Sequence, residues 1–216
     1  MRPELSTHTL LRVAGAESLR TSALPSWAIE SLRRGPWVVI RRAELDRRRI
    51  PAGVRGVQRG QRLATCVDFE AVLESVTPRA LAASGGWRGS PRSEVIPALA
   101  ALDAVERVMR EHGLARAWGP TGSVGFELAS GCASATADSD VDLAVWASQR
   151  LAVPLARSLL AALEALAVRI DVLIETPLGA VALTEYARGR GRVVLRGVSG
   201  PRLVDDCWPV GQTAAA

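Results

Sequence analysis

The spacing of apolar residues in the second half of the chain predicts helices that alternate with strands. Between residues 92 and 113 the apolar positions recur every three or four residues, which is typical of an amphipathic helix that ends at Gly113. A leucine stripe over residues 151–166 predicts a second helix, and residues 139–146 and 168–175 have the apolar character of buried strands. This order predicts an α+β fold with a mixed sheet. The positions on the first stripe are Val95, Leu99, Leu102, Val105 and Met109.

The first part of the chain has a different pattern. Residues 36–42 are rich in β-branched side chains and predict a strand, while residues 24–34 and 68–76 carry helical patterns. A stretch of Gly, Ser and Pro at residues 82–93 is typical of a flexible linker. We therefore expect a smaller, arginine-rich α/β domain over residues 1–82 and a mixed-sheet domain over residues 93–208.

The two parts of the chain also differ in net charge. All 27 basic residues are arginine, and residues 1–62 hold 13 of them against five acidic residues. The remainder of the chain holds 14 arginines against 17 acidic residues. A positive N-terminal part favours a phosphorylated ligand, a nucleic acid or an acidic protein partner. The arginines are not interleaved with aromatic side chains that could stack on bases, and the chain has only one Tyr and two Phe, which argues against nucleic acid.

The hydropathy and the cysteines indicate a cytoplasmic protein. No apolar run approaches the roughly 18 residues that a membrane-spanning helix needs, and the N-terminus lacks the apolar region of a signal peptide. The three cysteines are widely spaced and form no C-x-x-C pair, so neither a disulfide framework nor a zinc site is expected.

A pair of carboxylates interrupts the predicted strand at residues 139–146. Side chains alternate along a strand, so Asp140 and Asp142 project from the same face, with Cα atoms about 6–7 Å apart. Their mutual repulsion calls for a proton or a cation, and Mg²⁺ is the usual ion where phosphate completes the shell. Asp171, on the predicted strand 168–175, adds a third carboxylate. The sequence therefore predicts a site for one or two Mg²⁺ ions that supports in-line attack at phosphorus.

A glycine-rich turn precedes these acids. Gly122 and Ser123 lie between a strand and a helix that is expected to begin near Val124. Glycine allows the backbone to approach a phosphate closely, and the helix-terminal N–H groups and the serine hydroxyl bind its oxygens. The turn is not a Walker loop, because the chain has no lysine.

Together, Gly122-Ser123, Asp140-Val141-Asp142-Leu143 and Asp171 resemble the motifs of the nucleotidyltransferase superfamily, which has a polymerase β-like fold. In that superfamily the G-S turn binds the phosphates, the D-x-D strand holds the metal ions and a third acid helps to activate the nucleophile. Over residues 37–204 the chain also resembles one family within it, the phosphoribosyl-dephospho-CoA transferase (holo-acyl-carrier-protein synthase) of malonate decarboxylase. The segments that carry this second resemblance are WVVIRR, IPAGVRGVQRGQR, WGPTGSVGFELASG, SDVDL and GRVVLRGVSGPRLV.

The resemblance implies a specific reaction. A phosphoribosyl-dephospho-CoA prosthetic group would move from triphosphoribosyl-dephospho-CoA to a serine of the malonate decarboxylase acyl carrier subunit, and pyrophosphate would leave. Asp140 and Asp142 would ligate Mg²⁺, while Asp171 would complete the metal shell or accept the serine proton. Gly122 and Ser123 would bind the departing phosphates.

Three arginines of the N-terminal part are further candidates for substrate binding. Arg55, Arg59 and Arg62 are interleaved with glycines, and their guanidinium groups are expected to hold the dephospho-CoA or triphosphate oxygens. The alternative is a solvated basic loop. Two other functions also fit the chain: a small nucleotidyltransferase that moves AMP to a protein or small molecule, and a non-catalytic nucleic-acid-binding protein.

Overall fold

A computed structural model of the chain describes residues 5–21, 23–44, 48–58, 60–209 and 211. These residues form two compact units. The first contains the described residues up to Pro78 together with Phe126–Ser134, and the second contains Arg79–Gly125 and the described residues from Ala135 onward.

The first unit is built on an antiparallel sheet whose strand order, within the described residues, is β2-β5-β4-β3-β1-β6. Alternate residues of the central strands, such as Leu11, Ile50 and Val67, are fully buried and pack with Ala28 and Leu32 of the helix Ser26–Arg34. The elements are β1 (Leu10–Val13), β2 (Leu19–Arg20), α1 (Ser26–Arg34), β3 (Trp37–Ile40), β4 (Arg49–Arg55), β5 (Arg62–Asp68) and β6 (Val72–Val76).

This architecture corrects two predictions for the N-terminal part. Neighbouring strands such as β4 and β5 are joined as a hairpin, not by crossover helices, so the unit is antiparallel α+β instead of α/β. The helix predicted over residues 68–76 is wrong, because a 3-10 turn at Phe69–Ala71 leads directly into β6, which pairs with β1. The strand predicted over residues 36–42 and the helix predicted over 24–34 are confirmed as β3 and α1.

The second unit contains the predicted mixed sheet. In the described part its order is β12-β11-β10-β9-β8-β7, and β8 and β9 run parallel while the other neighbouring pairs are antiparallel. The strands are β7 (Trp118–Pro120), β8 (Val141–Trp146), β9 (Ile170–Thr176), β10 (Gly179–Ala182), β11 (Val193–Gly197) and β12 (Gly200–Val204). The helices that follow β6 along the chain are α2 (Pro78–Ser84), α3 (Pro97–Ala100), α4 (Leu102–Glu111), α5 (Gly122–Ser130), α6 (Val153–Glu164) and α7 (Leu183–Tyr186).

One face of this sheet is the core of the unit. Side chains that alternate along β8 and β9 on this face are almost completely buried, whereas the residues between them include both strand aspartates. The buried set consists of Val141, Leu143, Val145, Val172 and Ile174. The opposite face therefore carries the candidate chemistry.

The segment predicted to be a flexible linker is folded. Residues 82–93 lie in the second unit and include the end of α2, a 3-10 turn at Gly86–Gly89 and the start of another at Pro91–Glu94. Trp87 is 1% exposed and donates a hydrogen bond from Nε1 to Asp103 Oδ1 at 2.9 Å. The small residues thus form tight turns around a buried indole.

The helix predicted over residues 92–113 is interrupted. Ile96 has an extended backbone because it precedes Pro97, so a 3-10 turn, α3 and α4 replace one continuous helix. Val95, predicted on the buried stripe, is 66% exposed, whereas Leu99 and Leu102 are fully buried as predicted. Among the described residues, no helix has the length and apolar character needed to cross a membrane.

Candidate active site

The turn between β7 and α5 is fixed to the aspartate strand. Thr121, which follows the last residue of β7, donates its N–H to the carbonyl oxygen of Asp142 at 2.8 Å. Its own carbonyl accepts the N–H of Gly125 at 2.8 Å, so the helix starts at the strand end. α5 begins at Gly122, two residues before the predicted start.

Gly122 contacts the carboxylate of Asp142. Its φ of +61° belongs to the left-handed region that favours glycine, and a β-carbon placed on it would overlap Asp142 Oδ2 and lie 2.8 Å from Cγ. Gly125, one turn later, lies equally close to β7, since a β-carbon there would be 2.5 Å from the Pro120 carbonyl oxygen. The structure therefore brings the predicted G-S turn and the D-x-D segment together.

Two of the three predicted acids are direct neighbours in the sheet. β8 begins at Val141, so Asp140 immediately precedes the strand while Asp142 lies within it. Asp142 and Asp171 are register partners in the parallel pair β8–β9, and their side chains therefore share one face. This register is supported by the hydrogen bond from the Val141 N–H to the Arg169 carbonyl oxygen, at 2.9 Å.

Arg169 is a site residue that the sequence analysis missed. Its Nη2 lies 3.0 Å from Asp171 Oδ2, and both side chains are open to solvent, with exposed fractions of 69% and 45%. An ion pair this exposed contributes little to the free energy of unfolding, roughly 0–1 kcal/mol. In the sequence, Arg169 lies two positions before Asp171 of a predicted strand. This spacing did not stand out because the chain is rich in arginine.

Ser123 links the turn to the loop that leads into β8. The side chain is buried, and its Oγ donates to Ser139 Oγ at 3.4 Å. Ser139 Oγ also accepts the N–H of Thr136 at 2.9 Å. Ser139, which the sequence analysis assigned no role, thus connects the phosphate-binding candidate to the loop that carries Asp140.

The carboxylate oxygens suit a magnesium ion whose coordination shell is completed by substrate phosphates. In the described part of the chain, no group of three or more His, Cys, Asp or Glu side chains is gathered so as to hold a metal ion. Asp142 and Asp171 nevertheless supply two hard oxygen donors on one face, and Mg²⁺ is usually bound by one or two carboxylates together with substrate phosphates. The roles predicted for Asp140, Asp142 and Asp171 stay predictions.

The candidate arginines lie on a hairpin of the first unit. Arg55, the last residue of β4, and Arg62, the first of β5, are register partners. The loop between them is closed by a hydrogen bond from the Gly56 N–H to the Gln61 carbonyl oxygen at 2.9 Å. Arg62 is exposed and Arg55 is half-buried, while Arg59 lies outside the described residues.

Comparison with protein families gives two matches along the chain. Residues 6–78 match the family described as phosphoribosyl-dephospho-CoA transferase MdcG N-terminal domain. Residues 90–207 match the corresponding C-terminal domain, which includes all three candidate acids and the G-S turn.

Curated relatives are similar over nearly their whole length. A phosphoribosyl-dephospho-CoA transferase of Pseudomonas putida is 42% identical over 207 residues, which cover 96% of this chain and 97% of the relative. Proteins of the same name from Azotobacter vinelandii and Pseudomonas aeruginosa are each 39% identical, over 93% and 88% of both chains respectively. No solved structure matches the chain significantly.

Proposed function

The chain belongs to the phosphoribosyl-dephospho-CoA transferase family, and from this premise we propose its reaction. The enzyme transfers phosphoribosyl-dephospho-CoA from triphosphoribosyl-dephospho-CoA to a serine of the malonate decarboxylase acyl carrier subunit, with Mg²⁺ bound and pyrophosphate released. The second unit catalyses the transfer, and its fold is of the nucleotidyltransferase type.

The contact between Gly122 and Asp142 is the observation that carries this proposal. It sets the beginning of α5, where backbone N–H groups are available to an anion, directly beside a carboxylate. A bound metal ion and a helix N-terminus can neutralise different oxygens of the same polyphosphate. The arrangement suits a triphosphate donor.

Each residue has a defined part in the proposed step. The carboxylates of Asp140 and Asp142 would hold Mg²⁺, which would neutralise the charge that develops on the leaving pyrophosphate, and Asp171 is assigned the role of base. The N–H groups at the start of α5 and the Ser123 hydroxyl donate hydrogen bonds to phosphate oxygens. The Ser123 hydroxyl has one proton, which it donates to Ser139 Oγ in the structure, so it turns from Ser139 to the phosphate when the donor binds.

The bonds exchanged in the transfer are as follows. The carrier serine oxygen forms a bond to the α-phosphorus of the donor, and the bond from that phosphorus to the oxygen bridging the β-phosphorus breaks. Pyrophosphate leaves with the electron pair, and the carboxylate of Asp171 accepts the serine proton. Arg169, 3.0 Å from that carboxylate, holds it on the sheet face before the substrates bind.

The hairpin arginines bind the donor in this proposal. Arg55 and Arg62 are register partners at the end of the β4–β5 hairpin, and neighbouring guanidinium groups suit a phosphate ligand. We assign them, with Arg59, to oxygens of the dephospho-CoA or triphosphate part of the donor.

The donor is tested by intact-mass spectrometry of the carrier. The purified enzyme is incubated with Mg²⁺, the unmodified carrier subunit and, in parallel reactions, triphosphoribosyl-dephospho-CoA, dephospho-CoA or ATP. Only the first reaction is expected to add the mass of one phosphoribosyl-dephospho-CoA group, with one pyrophosphate released per carrier, and chelation of Mg²⁺ should stop it. Addition of AMP from ATP, with no gain from the triphosphoribosyl donor, would overturn the proposal in favour of a general nucleotidyltransferase.

A further inference from the structure

The hairpin formed by β11 and β12 has an unusual surface. From residue 186 to residue 204 the chain carries five arginines and no acidic residue. Two large apolar side chains of the same segment, Val198 and Leu203, are 55% and 54% exposed. Exposed apolar side chains with arginines nearby are typical of a protein-binding surface. The arginines are Arg188, Arg190, Arg192, Arg196 and Arg202.

Register places part of this hairpin on the same face of the sheet as the aspartates. Glu175 lies four residues after Asp171 on β9 and therefore shares its face. Across the sheet, Glu175 of β9 pairs with Ala180 of β10, which in turn pairs with Arg196 of β11. On β11, Val194 lies two residues before Arg196 and pairs with Leu203 of β12. Since residues directly opposite each other project from one face, Arg196 and Leu203 lie on the aspartate face.

The hairpin is also at a useful distance from the aspartates. β9 and β12 are three strand spacings apart, each about 4.8 Å, so Leu203 is roughly 15 Å from Asp171. A carrier domain of about 100 residues has a radius of gyration of about 13 Å. A carrier whose serine reaches Asp171 therefore extends over the hairpin if it lies on that side of the sheet.

The arginine charges are open to a partner. Arg188, Arg190, Arg196 and Arg202 are exposed, and none forms an ion pair with another residue that the structure describes. Arg192 donates to the Leu203 carbonyl oxygen at 2.9 Å and lies 3.9 Å from Asp205. The surface therefore has an excess of positive charge that an acidic partner would balance.

We propose that Arg196, Val198 and Leu203, the hairpin patch, form the docking surface for an acidic face of the acceptor carrier protein. This inference rests on the proposed function, because it assumes that the acceptor is a carrier protein. The arginines guide the carrier to the sheet edge, and the two apolar side chains are covered on binding.

Two other occupants suit the patch less well. Phosphates of the donor would pair with the arginines but would leave Val198 and Leu203 in water. A second copy of the chain would place the same patch against itself in a two-fold contact, so arginines would face arginines.

The test compares two variants with the same change in net charge. Arg196→Glu alters the hairpin patch, whereas Arg107→Glu changes an exposed arginine on α4. Binding of the unmodified carrier is measured by calorimetry without donor, and KM is measured separately for carrier and donor. The hairpin variant should raise the carrier Kd and KM about tenfold, leave the donor KM unchanged and lose most of the salt dependence of carrier binding.

A second variant tests the apolar part and guards against a folding defect. Leu203→Ser should weaken carrier binding while its thermal unfolding stays that of the wild type. If both hairpin variants bind carrier as the control does, or if only the donor KM rises, the docking inference is wrong while the transfer reaction stands. The docking inference would also be wrong if the wild type is a dimer and Leu203→Ser dissociates it. If the wild type neither binds nor modifies the carrier, the proposed function itself fails.

Discussion

Gly122 and Asp142 are in such close contact that a β-carbon on the glycine would overlap the aspartate Oδ2. The two residues come from motifs well separated along the chain, one at the start of α5 and one in β8. The hydrogen bond from Thr121 N–H to the Asp142 carbonyl oxygen fixes the same pair of segments through the backbone. The predicted phosphate-binding turn and the predicted metal-binding strand are therefore one structural feature.

The first prediction follows from this contact. Gly122→Ala should displace the Asp142 carboxylate and lower kcat/KM by about 100-fold, because a misplacement of about 1 Å in a reacting group costs that much. Gly131→Ala is the matched control: this residue has a similar φ of +70°, but a β-carbon there has no atom within 4 Å. Both variants place alanine at a positive φ and should lose some thermal stability for that reason, and only Gly122→Ala should lose activity. Equal activities would show that the contact is unimportant.

The acids could be predicted from the sequence because carboxylates stand out in buried strands. The alternation of apolar residues around Asp142 and Asp171 indicated both the strands and the face, and the structure pairs the two residues in register. The ion pair between Arg169 and Asp171 could not be predicted, since side-chain conformation decides whether residues two apart meet. Likewise, the link between Ser123 and Ser139 depends on how the intervening loop folds back.

The errors in the fold have a common physical cause, which is pairing between distant segments. Residues 68–76 contain good helix formers, yet β6 is set by its pairing with β1, where Arg12 Nε lies 2.8 Å from Glu74 Oε2. The segment 82–93 has the composition of a linker, but Trp87 inserts into the core and fixes it. In both cases tertiary contacts outweigh local preference.

Arg62 provides a prediction about donor binding. Arg62→Ala should raise the donor KM about tenfold with kcat little changed, because a hydrogen bond to a charged group contributes roughly 1.5–3 kcal/mol. Arg33→Ala, which removes an exposed arginine at the end of α1, serves as the control. Steady-state kinetics with varied donor measure both, and an unchanged donor KM for Arg62→Ala would show that the hairpin end is an ordinary solvated loop.

Tyr186 provides a prediction about stability. Its buried hydroxyl donates to the Leu151 carbonyl oxygen at 2.5 Å and accepts from Trp208 Nε1 at 3.2 Å. Tyr186→Phe leaves both partners buried and unpaired, so the free energy of unfolding in urea should fall by about 1–3 kcal/mol. Transfer activity should persist at low temperature. A variant as stable as the wild type would mean that water or another group replaces the hydroxyl.

Cys207 should make the free energy of unfolding fall at alkaline pH. Burial raises the pKa of this thiol from 9.0 to about 11, whereas Cys66 and Cys132 are partly exposed. The folded protein therefore favours the protonated thiol, and this contribution to stability is present below pH 9 and is lost as the pH rises through about 11. Cys207 should resist thiol reagents at pH 8, and Cys207→Ala should lessen the loss of stability between pH 9 and 11. Rapid labelling of Cys207 in the folded protein would contradict its burial.

The central claim is that the acids on the aspartate face of the mixed sheet catalyse transfer to the carrier. It is tested most directly by the rate at which the carrier gains the prosthetic group, followed by intact mass under single-turnover conditions with Mg²⁺. Asp142→Asn and Asp171→Asn should each slow this gain by about 100-fold or more, since metal ligands supply several kcal/mol of transition-state stabilisation. Asp138→Asn, which changes an exposed acid in the turn before the site, should react like the wild type. Transfer at the wild-type rate by Asp142→Asn would contradict the account.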